Sequence, residues 1–257
     1  MTVQDIPLPP TIRPDPPRDQ WGRYVLTSPV TNERQSYTRV STLKSAMQDT
    51  YGLNQWKLRT TMQGIAYHQL ANEEQLKAHG GSRIFDRLVA LVKDEDDMSP
   101  TNFKRALGQL VDEAFDIGGG KWAADMGTAL HAWCEFVDLE LGTVDEVPDM
   151  FRSHVQAYLD ALAKAGILVR KEYIERIVVN EAYGVAGTFD RVYELADGTL
   201  AVGDIKSGSS IDLGWLEIAQ QMAAYQTADA MLDDSDEWTE LPELRTDYAV
   251  IAHCPIT

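Results

Sequence analysis

Cysteine is nearly absent: Cys134 and Cys254 are the 2 in a chain of 257 residues. They lie far apart and without CxxC spacing, so neither a disulfide framework nor a zinc knuckle is expected. Two thiols also cannot hold a four-cysteine iron–sulfur cluster within one chain. Long apolar runs are missing as well, none approaching the roughly 18 residues that span a bilayer. The opening MTVQDIPLPPTIRPDPP has neither a basic n-region nor an apolar h-region, so an intracellular, cytoplasmic protein with no membrane partner is expected. Basic residues are scarce too: 23 Lys and Arg against 40 Asp and Glu leave a formal net charge of −17. Phosphates are neutralised by Lys and Arg, so this balance counts against broad nucleic-acid binding. It does not exclude a local site, because acids gathered around a cation have their charge cancelled there. The runs KDEDD (93–97) and DDSDE (233–237) read as solvated loops. There is no internal repeat.

What is present divides by period. Residues 1–36, rich in Pro, Asp, Arg and Thr, read as an extended arm. Residues 37–120 read as a helical section: TLKSAMQDTY capped by Gly52, a long stretch from Leu53 to about Gly80, then SRIFDRLVALVKD and TNFKRALGQLVDEAFDI after Ser99-Pro100. GGGK (118–121) is not a phosphate-binding loop, because Trp122 stands where Ser or Thr is needed. In the section 121–257, ADMGTALHAWCEFVDLELG restarts the helical pattern. A helix over Asp149–Ala165 places Phe151, Val155, Tyr158, Leu159 and Leu162 on one stripe and stops at Gly166. After it the period changes to that of strands: VRKEYIERIVV, YGVAGTFDRVYEL and TLAVGDIKS should form an antiparallel meander turning at Asp197-Gly198. GWLEIAQQMAAYQTADAML returns to helix and TDYAVIAHC is a last strand. The expected class is α/β with a helical N-terminal section. The chain ends soon after that strand, which reads either as a truncated end or as a strand that closes against a partner.

The chemistry concentrates in GTFDRVYELADGTLAVGDIKSG (187–208). Residues i and i+2 of a strand share a face, so Asp204 and Lys206 project together while Ile205 points into the core. A hairpin turning at Asp197-Gly198 sets Asp190 opposite Ile205, close enough for Asp190 and Asp204 to share one cation. Two carboxylates at close range repel unless a proton or a metal intervenes. A surface hairpin with an exposed Asp–Lys pair is the alternative, but apolar flanks on both faces mark these strands as internal.

GTFD (187–190), GDIKSG (203–208) and QMAAY (221–225), with GTALHAWCE (127–135) upstream, resemble the PD-(D/E)xK nucleases of the RecB-like and lambda-exonuclease-like branch. The resemblance implies a restriction-endonuclease-like core: a mixed central β-sheet flanked by helices. It implies Asp190, Asp204, His131 and the Ile205 carbonyl as ligands of one or two Mg2+ or Mn2+ ions. Lys206 would activate water and stabilise phosphate charge, and Glu135, one turn after His131, would orient the imidazole or a metal-bound water. Gln221 and Tyr225 would contact substrate or the lysine, and Ser207 is placed with the substrate-binding residues rather than as a nucleophile. Glu175 resembles an acid used near a second metal, but an edge-strand charge is the preferred reading.

The implied activity is metal-dependent hydrolysis of phosphodiester bonds by a DNA exonuclease of phage or bacterial recombination and repair, without an iron–sulfur cluster. DNA ends are the implied substrate, with a recombination partner protein or further copies of the chain as implied partners. Lys57 to Arg59, Arg39, Lys44 and Trp56 are expected to grip phosphates or stack on a base. A non-catalytic binding module on the same fold, or a structure-specific endonuclease, are the competing readings. His131 as a satisfied core histidine, Glu135 as a surface charge and Tyr225 as a core aromatic are the simpler alternatives.

Overall fold

The computed structural model describes residues 6–10, 16–45, 50–78, 81–212 and 214–256, apart from the side chains of Lys44 and Ala78. In chain order its elements begin with strands β1 (Tyr24–Thr27) and β2 (Arg34–Arg39). Helices α1 (Val40–Ser45), α2 (Tyr51–Leu70), α3 (Glu73–Ala78), α4 (Ile84–Lys93), α5 (Pro100–Ile117), α6 (Gly120–Asp138) and α7 (Asp149–Ala165) follow. Then come β3 (Leu168–Val169), β4 (Arg176–Asn180), β5 (Val185–Phe189), β6 (Arg191–Glu194) and β7 (Leu200–Lys206). Helix α8 (Trp215–Gln226) and strands β8 (Ala230–Leu232), β9 (Trp238–Thr239) and β10 (Val250–His253) complete the order. The chain is α/β, and contacts divide it into two compact units, residues 50–126 forming one and residues 6–49 with 127–257 the other.

The first unit is helical. α5 starts where Ser99 accepts from the Asn102 N–H at 3.3 Å and Pro100 takes the first helical position. The buried positions of α2 are Thr60, Gly64 and His68, and His68 caps α4 by accepting the Ile84 N–H on Nδ1 at 3.0 Å. Gly52 was expected to end a helix and instead lies in the first turn of α2; residues 46–49 of that expected helix are outside the described residues. Trp56, expected to stack on a base, packs edge-on against Phe115 with ring centroids 5.3 Å apart. Lys57 and Arg59 are exposed.

The second unit contains two mixed sheets, ordered β1-β2-β5-β4-β8-β9 and β10-β7-β6-β3. The arm expected over 1–36 is therefore corrected from Tyr24 onward, while its residues 1–5 and 11–15 lie outside the described residues. Alternate residues Tyr24 and Leu26 of β1 are buried, β1 pairs antiparallel with β2, and β2 joins β5 in parallel. The expected meander is also corrected. The run 185–194 is broken at Asp190, so that β5 pairs with β4 in one sheet and β6 pairs with β7 in the other. The tail of the expected last helix, Ala230–Leu232, is the short strand β8 paired with β4. α7 spans Asp149–Ala165 as expected and closes on Gly166 with φ of 66°. Val40, Phe189, Val202, Ile218, Met222 and Tyr225 belong to the core beneath α8. No described helix is long and apolar enough to cross a membrane.

Candidate active site

The hairpin joining β6 to β7 determines the site's register. Leu195 N–H bonds to the Thr199 carbonyl at 2.9 Å, leaving a three-residue loop, Ala196-Asp197-Gly198, with Gly198 at φ of 81°. A two-residue turn had been expected. The odd loop shifts the pairing by one, so Arg191 faces Gly203 and the ladder ends there, with Asp190 just beyond it and not in the expected pairing with Ile205. Ile205 meets Asp190 through its N–H, which donates to Asp190 Oδ2 at 2.8 Å; the expected role had been for its carbonyl. Here the Asp190 carboxylate takes the place of a ladder partner, at the point where the chain passes from one sheet to the other.

Around this break the side chains gather. His131 Nδ1 stands 3.3 Å from Asp190 Oδ2. Asp204, only 2% exposed at its side chain, is ion-paired with Lys206, as the i, i+2 spacing predicts. From α8, Gln221 Nε2 donates to Asp204 Oδ1 at 3.4 Å and to the Tyr225 hydroxyl at 3.3 Å, while Gln221 Oε1 accepts from Lys206 Nζ at 3.4 Å. Glu135 is half-buried one turn after His131. Ser207 is half-buried and lies against α6: a Cβ on Gly127 would come within 2.6 Å of its Oγ. Gly187 of the GTFD run admits α8 in the same way, since a Cβ there would lie 2.7 Å from Tyr225 Cε1.

The two acids titrate in opposite directions. Burial raises Asp204, and the charge of Asp190 raises it further, against the pull of Lys206. Burial also works to raise Asp190, but the His131 hydrogen bond and charge, the Arg191 charge and the Ile205 N–H outweigh it and bring its carboxyl below the usual range. Asp190 is thus the stronger acid of the two.

Two carboxylates and an imidazole are the donor types that hold Mg2+ or Mn2+, and the mutual penalty on Asp204 is the strain a cation relieves. The residues fit such an ion in kind. Among the described residues no three His, Cys, Asp or Glu side chains already stand together as a ready group for a metal.

Two residues at the site, Arg191 and Asp138, had no place in the sequence reading, and Glu175 takes a different one from that expected. Arg191 is fully buried and bonded to Asp138 at 2.7 Å, and Glu175, expected as an edge charge, lies 3.5 Å from Arg191 with its N–H on the Asp190 carbonyl at 3.0 Å. Asp138 lies two turns after His131 on the same helix, and Arg191 follows Asp190 directly as the first residue of β6; these were the available signals. A cleft of about 210 Å3 adjoins the cluster through Tyr225 and is lined by Arg18, Tyr24, Arg39, Ser41 and Thr188. In it Arg18 lies over the Tyr24 ring at 4.1 Å, and the Tyr24 hydroxyl bonds to Thr188 at 3.0 Å. Arg39, expected in the helical section 37–120, ends β2 instead, and the side chain of Lys44 lies outside the described residues. No family model matches the chain, and no curated protein matches it.

Proposed function

We propose that the second unit is a metal-dependent deoxyribonuclease of the PD-(D/E)xK type, with a restriction-endonuclease-like core, acting on DNA ends as an exonuclease in phage or bacterial recombination. The observation that carries this reading is the meeting of Asp190, Asp204, Lys206 and His131, drawn from strand β7, the break between β5 and β6, and helix α6, at one place. The antiparallel β6–β7 pair and the parallel β7–β10 pair, with α8 lying between β7 and β10 in the chain, support the core assignment. Asp190, Asp204 and His131 would hold Mg2+ or Mn2+, which polarises a phosphate and acidifies water when bound. Lys206, steadied by Gln221, would leave Asp204 for a non-bridging phosphate oxygen and stabilise the charge that develops there. The cleft of Arg18 and Arg39 would take a phosphate of the strand, which answers the objection raised by the net charge of −17: the basic groups are few but local.

Digestion of linear duplex, single-stranded and closed circular DNA with Mg2+ tests the reading. Asp204→Asn and Lys206→Ala should each abolish degradation while the protein stays folded by circular dichroism. Undiminished cleavage by either variant sinks the proposal, and equal attack on closed circles replaces exonuclease with endonuclease.

A further inference from the structure

Arg191 is an expensive residue to bury. Its side chain and that of Asp138 are each 1% exposed, and such a pair is often no better for stability than apolar residues of the same size. One of its nitrogens, Nη2, has no partner among the described residues, so the site is not arranged for the best packing. The bonds that Arg191 does make point to one place. Nε reaches Asp138 Oδ2 at 2.7 Å, and Nη1 donates to the main-chain carbonyl of Asp190 at 2.8 Å. Asp138 is held in turn by the Tyr158 hydroxyl at 2.9 Å, which meets the Tyr193 hydroxyl at 3.3 Å.

The carbonyl of Asp190 sits where β5 ends and β6 begins, outside both ladders, and it receives both Arg191 and the Glu175 N–H. α6 therefore grips Asp190 twice. His131 touches the carboxylate from one turn of the helix, and Asp138, two turns later, reaches the carbonyl through Arg191. A carboxylate fixed at its side chain alone could swing about its own backbone; this one is held at both ends.

We propose that Arg191 and Asp138 are positioning residues that hold Asp190 in place to receive a divalent cation, an inference that rests on the reading of Asp190 as a metal ligand. Packing alone would be served as well by apolar side chains, so the two roles separate under substitution. In the full chain, Arg191→Met with Asp138→Leu should melt at or above the wild-type temperature. Its calorimetric affinity for Mn2+ should nevertheless fall roughly 10- to 100-fold, the usual effect of removing an outer partner of a ligand. Asp138→Asn, which keeps the shape and a partner for Tyr158, should lose affinity in the same direction by a smaller factor. The Mn2+ concentration for half-maximal cleavage should rise in step, with a lesser change in rate at saturating Mn2+. Affinity within about twofold of wild type in the folded double variant overturns the proposal. If that variant does not fold, the same criterion applied to Asp138→Asn decides. A wild-type chain that binds no Mn2+ overturns the metal-ligand reading itself, and this inference with it.

Discussion

The side-chain amide of Gln221 donates to Asp204 Oδ1 across 3.4 Å, so a residue of α8 holds an acid in the middle of the sheet. The same amide accepts from Lys206 at 3.4 Å and reaches the Tyr225 hydroxyl at 3.3 Å. Gln221 therefore bridges the acid and the amine, which also meet directly. Replacement by Met keeps the volume and removes these bonds. Cleavage by Gln221→Met should fall roughly 10- to 100-fold, chiefly in kcat, with Tyr225→Phe losing less. Steady-state rates on a labelled duplex measure this, and an unchanged kcat for Gln221→Met would show that the bridge has no part in the chemistry.

Asp204 gives a prediction in pH. Its folded pKa is raised, by burial first and by Asp190 second, so the ionised form costs stability once the pH rises through that value. Asn pays no such cost. In chelator, Asp204→Asn should melt above wild type at neutral pH, and the advantage should shrink as pH falls through the raised carboxyl pKa. Added Mn2+ should narrow or reverse the difference by stabilising only the wild type. Melting curves across pH with and without Mn2+ test both signs.

Gly187 predicts a packing limit. A Cβ at this position meets Tyr225 Cε1 at 2.7 Å and Val40 at 3.0 Å, and both neighbours belong to the buried core. Neither can move without disturbing α8 or α1. Gly187→Ala should cost about 1–3 kcal/mol, read by urea denaturation, and a neutral result would show that α1 and α8 do not close-pack on β5 at this position.

Arg18 and Arg39 line the cleft beside Tyr225. If each meets a phosphate, Arg18→Ala and Arg39→Ala should each flatten the salt dependence of DNA binding by about one in the log–log slope. Fluorescence anisotropy in chelator separates this from cleavage. A slope unchanged in both variants would remove the cleft from the DNA path.

Local spacing made part of the site legible in the sequence. The i, i+2 placement of Asp204 and Lys206 and the i, i+4 placement of Gln221 and Tyr225 follow from strand and helix geometry alone, and so does the buried stripe of α7. The register of the hairpin did not follow. Ala196-Asp197-Gly198 supports a two- or a three-residue turn, and only the 2.9 Å bond closing Leu195 on Thr199 chooses between them. That choice sets Arg191 opposite Gly203 and leaves Asp190 to meet Ile205 through its carboxylate and not as a ladder partner.

By itself the sequence determined the α/β class, the alternation that pairs acid with amine, and the helical repeats that group His131 with Glu135 and Gln221 with Tyr225. Only the tertiary structure decided that the run through Asp190 divides between two sheets, that Arg191 belongs to Asp138 across 53 positions, and that β1 reaches Thr188 through Tyr24 across 164. Periodicity is a property of neighbours along the chain and can be read there. Partners separated by tens of residues are chosen by which buried polar groups find one another once the apolar faces have closed, and that choice exists only in the folded molecule.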